Sequence, residues 1–389
     1  MKEKPRKVIL IVAGEASGDM RAAGLVKAVK KIDPDIHFTG VGGKHMSEAG
    51  VRILAGIDWL GVVGIWDVIK HLPLIKRIFD SLLAFARREH IDAAILVDYP
   101  GFNLRLARAL KGMGIKVIYY ISPQVWAWKE GRIKAIQKTV DRMLVLFPFE
   151  KDIYAKYGMN ADYVGHPLVD EVKVTEPPSS VKAGLGFGPH MPVIGLMPGS
   201  RIKEVQRHLP FMLEAAKILL AGDRNRRFII LKAATVPREM LAMAIQKTNA
   251  PAVIYDGPAY NGIAAMDAGI VASGTATLET GLLLRPMVIL YKTAWLTYWI
   301  AKLFVKIPYI GLINVVAGKK IVEEFIQNDA TAQNIAMSVE KIFRSPNTYG
   351  QMTNDLAQVK SRLGASGASA RAAAIVVEEL NNLSAPKLP

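Results

Sequence analysis

The chain has no cysteine among its 389 residues. This excludes disulfide scaffolds, thiolate zinc sites, iron–sulfur clusters and a cysteine nucleophile, and it fits a reducing compartment. Histidine is scarce, with seven scattered residues and no H-E-x-x-H spacing, so no protein-held metal is expected. Long apolar runs are also lacking. A membrane span needs roughly 18 uninterrupted apolar residues, and charges break the best candidates, Trp59–Leu72 and Ala294–Pro308. The basic start, Met1 to Lys7, meets only the short run Val8–Ala13 before Gly14-Glu15, too little for a secretory signal. A soluble or peripheral protein is expected. Acidic residues are outnumbered, 34 against 50 Lys plus Arg, giving a formal charge of +16. Such a surplus calls for an anionic partner: nucleic acid, nucleotide phosphates or an anionic bilayer.

What is present is an abundance of apolar residues, 51%, enough for full cores. The length suggests two to three domains at roughly 150 residues each. Short buried strands alternate with helical stretches in two blocks, the pattern of a parallel sheet covered on both faces. The first block predicts strands at Val8–Ala13, His37–Gly40, Ala93–Val97, Lys116–Ile121 and Arg142–Leu146. The second predicts strands at Val193–Met197, Arg227–Lys232, Ala252–Tyr255, Ile270–Ala272 and Met287–Tyr291. Between them, 174–192 is rich in Pro, Gly and Ser and reads as a linker. The expected division is 1–173, linker 174–192, 193–353, and terminal helices in 354–389. The fold class is α/β, with two doubly wound, Rossmann-like domains and a ligand cleft.

Doubly wound sheets bind ligands at the carboxyl ends of their strands, so the loops there are the candidate sites. The first, Gly14-Glu15-Ala16-Ser17-Gly18-Asp19, suits close backbone approach and offers Glu15, Ser17, Gly18 and Asp19. It is neither G-x-G-x-x-G nor a P-loop, so dinucleotide or ATP binding is unsupported. The other reading is an ordinary turn with Asp19 as helix cap. Asp98 ends a buried strand and is a candidate general base for a sugar hydroxyl. Asn103, before the periodic run at Leu104, is the expected cap of the next helix. The segment Tyr119–Trp128, with Gln124 and Trp126, is dense in aromatics; it can stack on a sugar, or form a small core under a loop. His166 sits in a strand-end loop with a ligand-contact or a structural role.

In the second block, Gly199-Ser200-Arg201 precedes a helix opening with Lys203-Glu204, a fair diphosphate site. Ser273-Gly274-Thr275-Ala276-Thr277 again leads from strand into helix and suits phosphate. Glu279, one turn in, can take the two hydroxyls of a ribose; as a capping-box acid its partner position is Ala276, which has no hydroxyl. On the surface, Val62, Ile65, Val68, Ile69 and Leu72 form one helical stripe flanked by Trp59 and Trp66, and Pro73 is expected to start a second helix. Trp295, Tyr298 and Trp299 interleave with Lys302 and Lys306. Aromatics beside cations suit a membrane interface, or a helix packed on the sheet. No Lys/Arg-rich run or nucleic-acid module stands out, so nucleic acid is not the expected partner.

Taken bottom-up, these features suit transfer from a nucleotide-activated donor to a hydroxyl acceptor. A related enzyme with a soluble acceptor, a sugar-nucleotide epimerase and a non-catalytic nucleic-acid binder are the competing classes. The segments Gly14–Asp19, Val97–Leu104, Ile121–Trp128, Leu146–Glu150, Val164–Pro167, Met197–Glu204 and Ala272–Glu279 resemble, in content and order, those of the lipid-A-disaccharide synthase family. The resemblance spans essentially the whole chain. It implies the two-Rossmann glycosyltransferase B (GT-B) fold, with the C-terminal helix returning to the first lobe. It further implies that UDP-2,3-diacylglucosamine and 2,3-diacylglucosamine 1-phosphate yield a β-1,6-linked disaccharide 1-phosphate plus UDP; no cofactor or metal is expected, since fixed cationic and dipolar groups can stabilise the departing UDP. The implied setting is Gram-negative lipopolysaccharide synthesis, peripheral on the cytoplasmic face of the inner membrane; a homo-oligomer is compatible with it. Asp98 resembles the family's essential aspartate. Arg201, Glu279, Asn314 and, less directly, Gln327 resemble donor-site positions.

Overall fold

The structure is a computed structural model that describes residues 7–57, 65–128, 130–295 and 308–384. The chain divides into two compact units. Unit 1 comprises residues up to Pro167 together with those from Ala365, and unit 2 is Leu168–Gly364.

Among the described residues of unit 1, seven parallel strands run in the order β3-β2-β1-β4-β5-β6-β7. They are β1 Val8–Ala13, β2 His37–Val41, β3 Arg52–Ala55, β4 Ala93–Val97, β5 Lys116–Tyr120, β6 Arg142–Val145 and β7 Ala161–Tyr163. The central strands β1 and β4 are Val-Ile-Leu-Ile-Val-Ala and Ala-Ala-Ile-Leu-Val, buried on both faces apart from Val8 at the edge. Their pairing, Ile9 with Ala93 through Ala13 with Val97, brings both carboxyl ends level. Chain order reverses direction across the sheet between these two strands, which makes their ends the switch point where ligands collect.

Unit 2 repeats the plan with β10-β9-β8-β11-β12-β13. These are β8 Val193–Met197, β9 Arg227–Leu231, β10 Ala252–Tyr255, β11 Ala268–Ala272, β12 Met287–Tyr291 and β13 Glu324–Ile326. The switch point here lies between β8 and β11, paired from Ile194–Ala268 to Met197–Val271.

Several expectations need correction. The helix Ile65–Arg88 runs through Pro73, where a new helix was expected to start. The segment 174–192 is not an open linker: Pro178–Gly184 is helical, Lys182 bonds Asp267, and Thr175 is held by Asn261. The strands β3, β7 and β13 were not foreseen; each is three or four residues long and carries a charged residue, so no continuous apolar run marks it. The terminal helices part company. Pro346–Arg362 stays on unit 2, with Lys319 bonded to Asp355.

Ala368–Ser384 packs on the helix Ala16–Ile32 of unit 1. Small residues make this close approach possible: a Cβ at Gly24 would lie 3.1 Å from Ser369 Oγ, and Ala372, Ala373 and Val376 are fully buried. Buried Glu379 receives Arg142 Nη1 at 3.1 Å and pairs with Lys116. Arg371 donates to the carbonyls of Val164, Ser366 and Ala365 at 2.7–2.8 Å. Among the described residues, no helix is long and apolar enough to cross a membrane.

Candidate functional site

In unit 1 the last residues of β4 feed a backbone held in the left-handed region at two successive non-glycine positions, Asp98 (φ +48°) and Tyr99 (φ +47°). Such a conformation persists only where surrounding contacts over-determine it. Here they do. Asp98 N donates to Tyr120 O at 3.0 Å. The Asp98 carbonyl accepts from Tyr119 Oη at 2.6 Å and from Asn103 Nδ2 at 2.8 Å. Asn103, fully buried, also donates to Val97 O at 3.1 Å. The Tyr99 ring lies over Gly14, where an added Cβ would come within 2.3 Å of the ring. An apolar crevice lined by Gly14, Val41, Ile78, Tyr99 and Phe102 opens beside this turn.

Asn103 is therefore not the helix cap that the sequence suggested. The helix begins at Pro100, and Asn103 sits inside it, reaching back to tie down the strand end. The start of that helix, with Tyr99 as its N-cap residue, has no side-chain cap. Burial lifts the Asp98 pKa from 3.8 to about 6, with Glu15 adding to the rise and the Tyr99 backbone N–H and then Arg21 opposing it. A carboxyl poised near neutral pH at a switch point suits a general base.

Glu15 and Ser17 are exposed beside Asp98's turn, whereas Gly18 is buried. Asp19 is a correction to the expected ligand contact. It is 2% exposed, and its carboxylate accepts the backbone N–H groups of Gly43 (2.6 Å), His45 (3.0 Å) and Met46 (3.1 Å). It caps the neighbouring helix Lys44–Glu48 rather than its own. His166 is likewise buried, against the Phe147 ring, and burial together with Arg21 lowers its pKa to about 3. It stays neutral at physiological pH.

After β5, Ile121 adopts φ +69° and the chain turns through Ser122 to the short helix Val125–Trp128. Gln124 is exposed and Trp126 half-buried. Trp126 Nε1 donates to Glu150 Oε1 at 3.3 Å, and its ring meets Phe149 edge-on. Glu150 is 3% exposed, with its pKa raised to about 7 by burial.

In unit 2 both switch-point loops lead into helices that lack a side-chain cap. The first passes Gly199 (φ +118°) and Arg201 into Ile202–Gly222; the second passes Gly274 (φ +153°) into Thr275–Leu282. Uncapped helix starts present backbone N–H groups and a positive dipole end. Ser200, Arg201 and Thr275 are exposed, and Ser273, Ala276 and Glu279 half-buried. Arg201 Nη1 reaches Glu204 Oε1 at 2.9 Å. Thr277 is buried and donates to Gly274 O, which shapes the loop.

Two donor-site expectations give way to structural roles. Asn314 is fully buried and spends both ends of its amide: Nδ2 donates to Val322 O and Glu324 Oε1, and Oδ1 accepts Ile321 and Val322 N–H. Gln327, at φ +51°, bonds both backbone groups of Thr293. Glu324 completes this scaffold by accepting Ile310 and Gly311 N–H, and Ser273 Oγ donates to Ile310 O. His208 was missed from sequence. Buried in its helix, it bridges Pro198 O at 2.9 Å and Lys292 at 3.0–3.1 Å, fixing the first loop against β12. Nothing in its sequence neighbourhood signals that role.

Of the surface residues expected to meet lipid, Leu72 (49%) and Trp295 (68%) are exposed. Ile65, Trp66 and Ile69 belong to the helix Ile65–Arg88, but their side chains lie outside the described residues, as do Trp59, Val62 and Trp299. Among the described residues no group of three His, Asp or Glu side chains could hold a metal ion.

A family model described as lipid-A-disaccharide synthetase matches residues 9–376. The chain belongs to the lipid-A-disaccharide synthetase family. It is 42% identical over 381 residues to the lipid-A-disaccharide synthase of Geobacter sulfurreducens, covering 98% of this chain and 99% of that one. It is 40% identical over 380 residues to that of Myxococcus xanthus, with the same coverage. Family membership makes the protein an enzyme, a glycosyltransferase of lipid A disaccharide formation. Among solved structures, a UDP-N-acetylglucosamine 2-epimerase of Listeria monocytogenes superposes with TM-score 0.66 at 13% identity, covering 97% of this chain and 98% of that one. The calicheamicin glycosyltransferase CalG4 gives 0.62 at 14%, covering 98% and 100%. These likenesses carry the fold, GT-B.

Proposed function

We propose that the enzyme transfers the 2,3-diacylglucosamine unit of UDP-2,3-diacylglucosamine to the 6-hydroxyl of 2,3-diacylglucosamine 1-phosphate, in a single inverting displacement that releases UDP. The observation that carries this reading is the Asp98 carboxyl, lifted to about 6 at the switch point of unit 1. As the acceptor oxygen attacks the anomeric carbon, Asp98 takes its proton. Negative charge gathers on the departing UDP. Arg201 and the uncapped helix starts at Ile202 and Thr275 offset it. These fixed cationic and dipolar groups give the leaving group its stabilisation from the chain itself, so the reaction is proposed to run without a metal or cofactor. Glu279 is assigned to the donor ribose.

UDP-bound neighbours of the same fold support a UDP-sugar donor. The charge of +16 and the exposed Leu72 and Trp295 support peripheral docking on the anionic cytoplasmic face of the inner membrane, where a diacylated acceptor resides.

The test is UDP release from UDP-2,3-diacylglucosamine with and without 2,3-diacylglucosamine 1-phosphate, in wild type and Asp98→Ala. Acceptor-dependent release that collapses in the variant, with UDP binding retained, is the expected result. Undiminished release in the variant removes Asp98 from its role, and no release from folded wild-type protein overturns the substrate assignment.

A further inference from the structure

Glu150 does more than a helix cap requires. One oxygen, Oε2, accepts the N–H groups of Leu146 (3.1 Å) and Phe147 (3.0 Å), which closes the start of the helix Pro148–Ala155. That task is ordinarily done by an exposed Glu or Gln. Here the carboxylate is buried, a costly placement unless every lone pair is used. Its other oxygen leaves the helix altogether and accepts Trp126 Nε1–H at 3.3 Å. Within the same loop the Ser122 hydroxyl donates to Pro123 O at 2.9 Å and stands 2.8 Å from Tyr154 Oη, on the helix that Glu150 opens. The residue before it, Phe149, meets the Trp126 ring edge-on at 5.4 Å. The same helix start thus grips the indole by its N–H and by its ring. The loop so gripped leaves β5, whose Tyr120 carbonyl receives Asp98 N–H and whose Tyr119 hydroxyl holds the Asp98 carbonyl.

We propose that Glu150 is a positioning residue: through Trp126 it fixes the aromatic loop 122–128 beside the base, and so sets acceptor-sugar binding rather than the chemical step. The acceptor part rests on the functional reading above; the tether does not. Glu150→Gln separates the two jobs. A glutamine oxygen can keep the Leu146 and Phe147 bonds, but its NH2 cannot accept the Trp126 indole hydrogen.

The experiment combines 15N-indole spectra with steady-state kinetics on the full chain. Trp126→Phe assigns the Trp126 resonance among the six tryptophans. In Glu150→Gln that resonance should shift upfield and lose protection from solvent exchange, while the melting temperature stays near wild type. The acceptor KM should rise about three- to ten-fold, the worth of one buried hydrogen bond, with kcat and donor KM little changed. Trp126→Phe should raise it similarly, and the double variant should add nothing further. An unmoved indole resonance, a wild-type acceptor KM in Glu150→Gln, or multiplying losses in the double variant would overturn the proposal. If wild type fails to use the acceptor, the substrate reading fails by itself and the indole resonance alone decides the tether.

Discussion

The strand-end turn of unit 1 places positive φ on Asp98 and Tyr99, whereas the two corresponding loops of unit 2 place it on Gly199 and Gly274. A non-glycine residue in that region costs on the order of 1 kcal/mol or more, so the two units are built for different demands. The proposed base must point one way and be partly stripped of water, and the Asp98 turn is held by Asn103, Tyr119 and the Tyr99–Gly14 contact. In the proposed reading a diphosphate is met by backbone N–H groups and a solvent-exposed cation. Glycine makes room for close approach, and Ser200, Arg201 and Thr275 stay exposed. Rigid desolvation in one unit and open, dipolar reception in the other are what a proton acceptor and an anion receptor each require.

Asp98→Asn is the largest blow to this contrast. Asparagine tolerates the left-handed backbone but cannot take a proton, so kcat should fall roughly 10²–10⁴-fold with donor binding kept. Stability should move the other way. The folded carboxyl titrates near 6, above its ordinary 3.8, so the protonated form favours the fold and that contribution is lost as pH rises through about 6. The variant should therefore melt above wild type at pH 8 and level with it near pH 4. A scanning-calorimetry series across that range checks the sign.

Arg201→Ala, at an exposed position, should cut kcat/KM about 10²-fold without lowering the melting temperature, and Arg201→Lys should recover part of it. Loss of the fold in Arg201→Ala would break the distinction between the units. Tyr119→Phe probes the rigid side with less force. It removes one of the two side-chain donors to the Asp98 carbonyl and should cost about fivefold in kcat, at roughly 1 kcal/mol per buried hydrogen bond, leaving donor KM alone. The smallest effect belongs to Glu15→Gln. Its negative charge helps to raise the Asp98 pKa; removing it should slide the acid limb of the kcat/KM profile below about 6 by less than one unit. A limb that stays put, or moves up, assigns the profile to another group.

The apolar strands were legible because continuous Val, Ile and Leu runs have one reading in an α/β chain. Val8–Ala13, Ala93–Val97, Val193–Met197, Ala252–Tyr255 and Met287–Tyr291 have the bounds that their composition suggests. Asp98 and the Gly199–Arg201 and Ser273–Glu279 loops stood out because each comes directly after such a strand. The partners of polar side chains were not legible. Asp19, Asn314 and Gln327 carry the right chemistry for a ligand, yet each is bonded mainly by backbone groups that the chain brings to it from elsewhere, 24 to 27 residues away for Asp19 and 34 for Gln327. His208 and Glu150 show the converse: with no bonding role readable from the chain, they hold loops together at distances of 84 and 24 residues.

By itself, the sequence determined the two parallel α/β units, the family and the strand ends where chemistry gathers, because local apolar pattern and short loop motifs are written in consecutive residues. Only the tertiary structure decided which carboxyl is lifted to about 6 and which is spent as a cap. Burial and hydrogen-bond satisfaction depend on the groups that folding brings alongside, and neighbours in space leave no mark in the order of the chain.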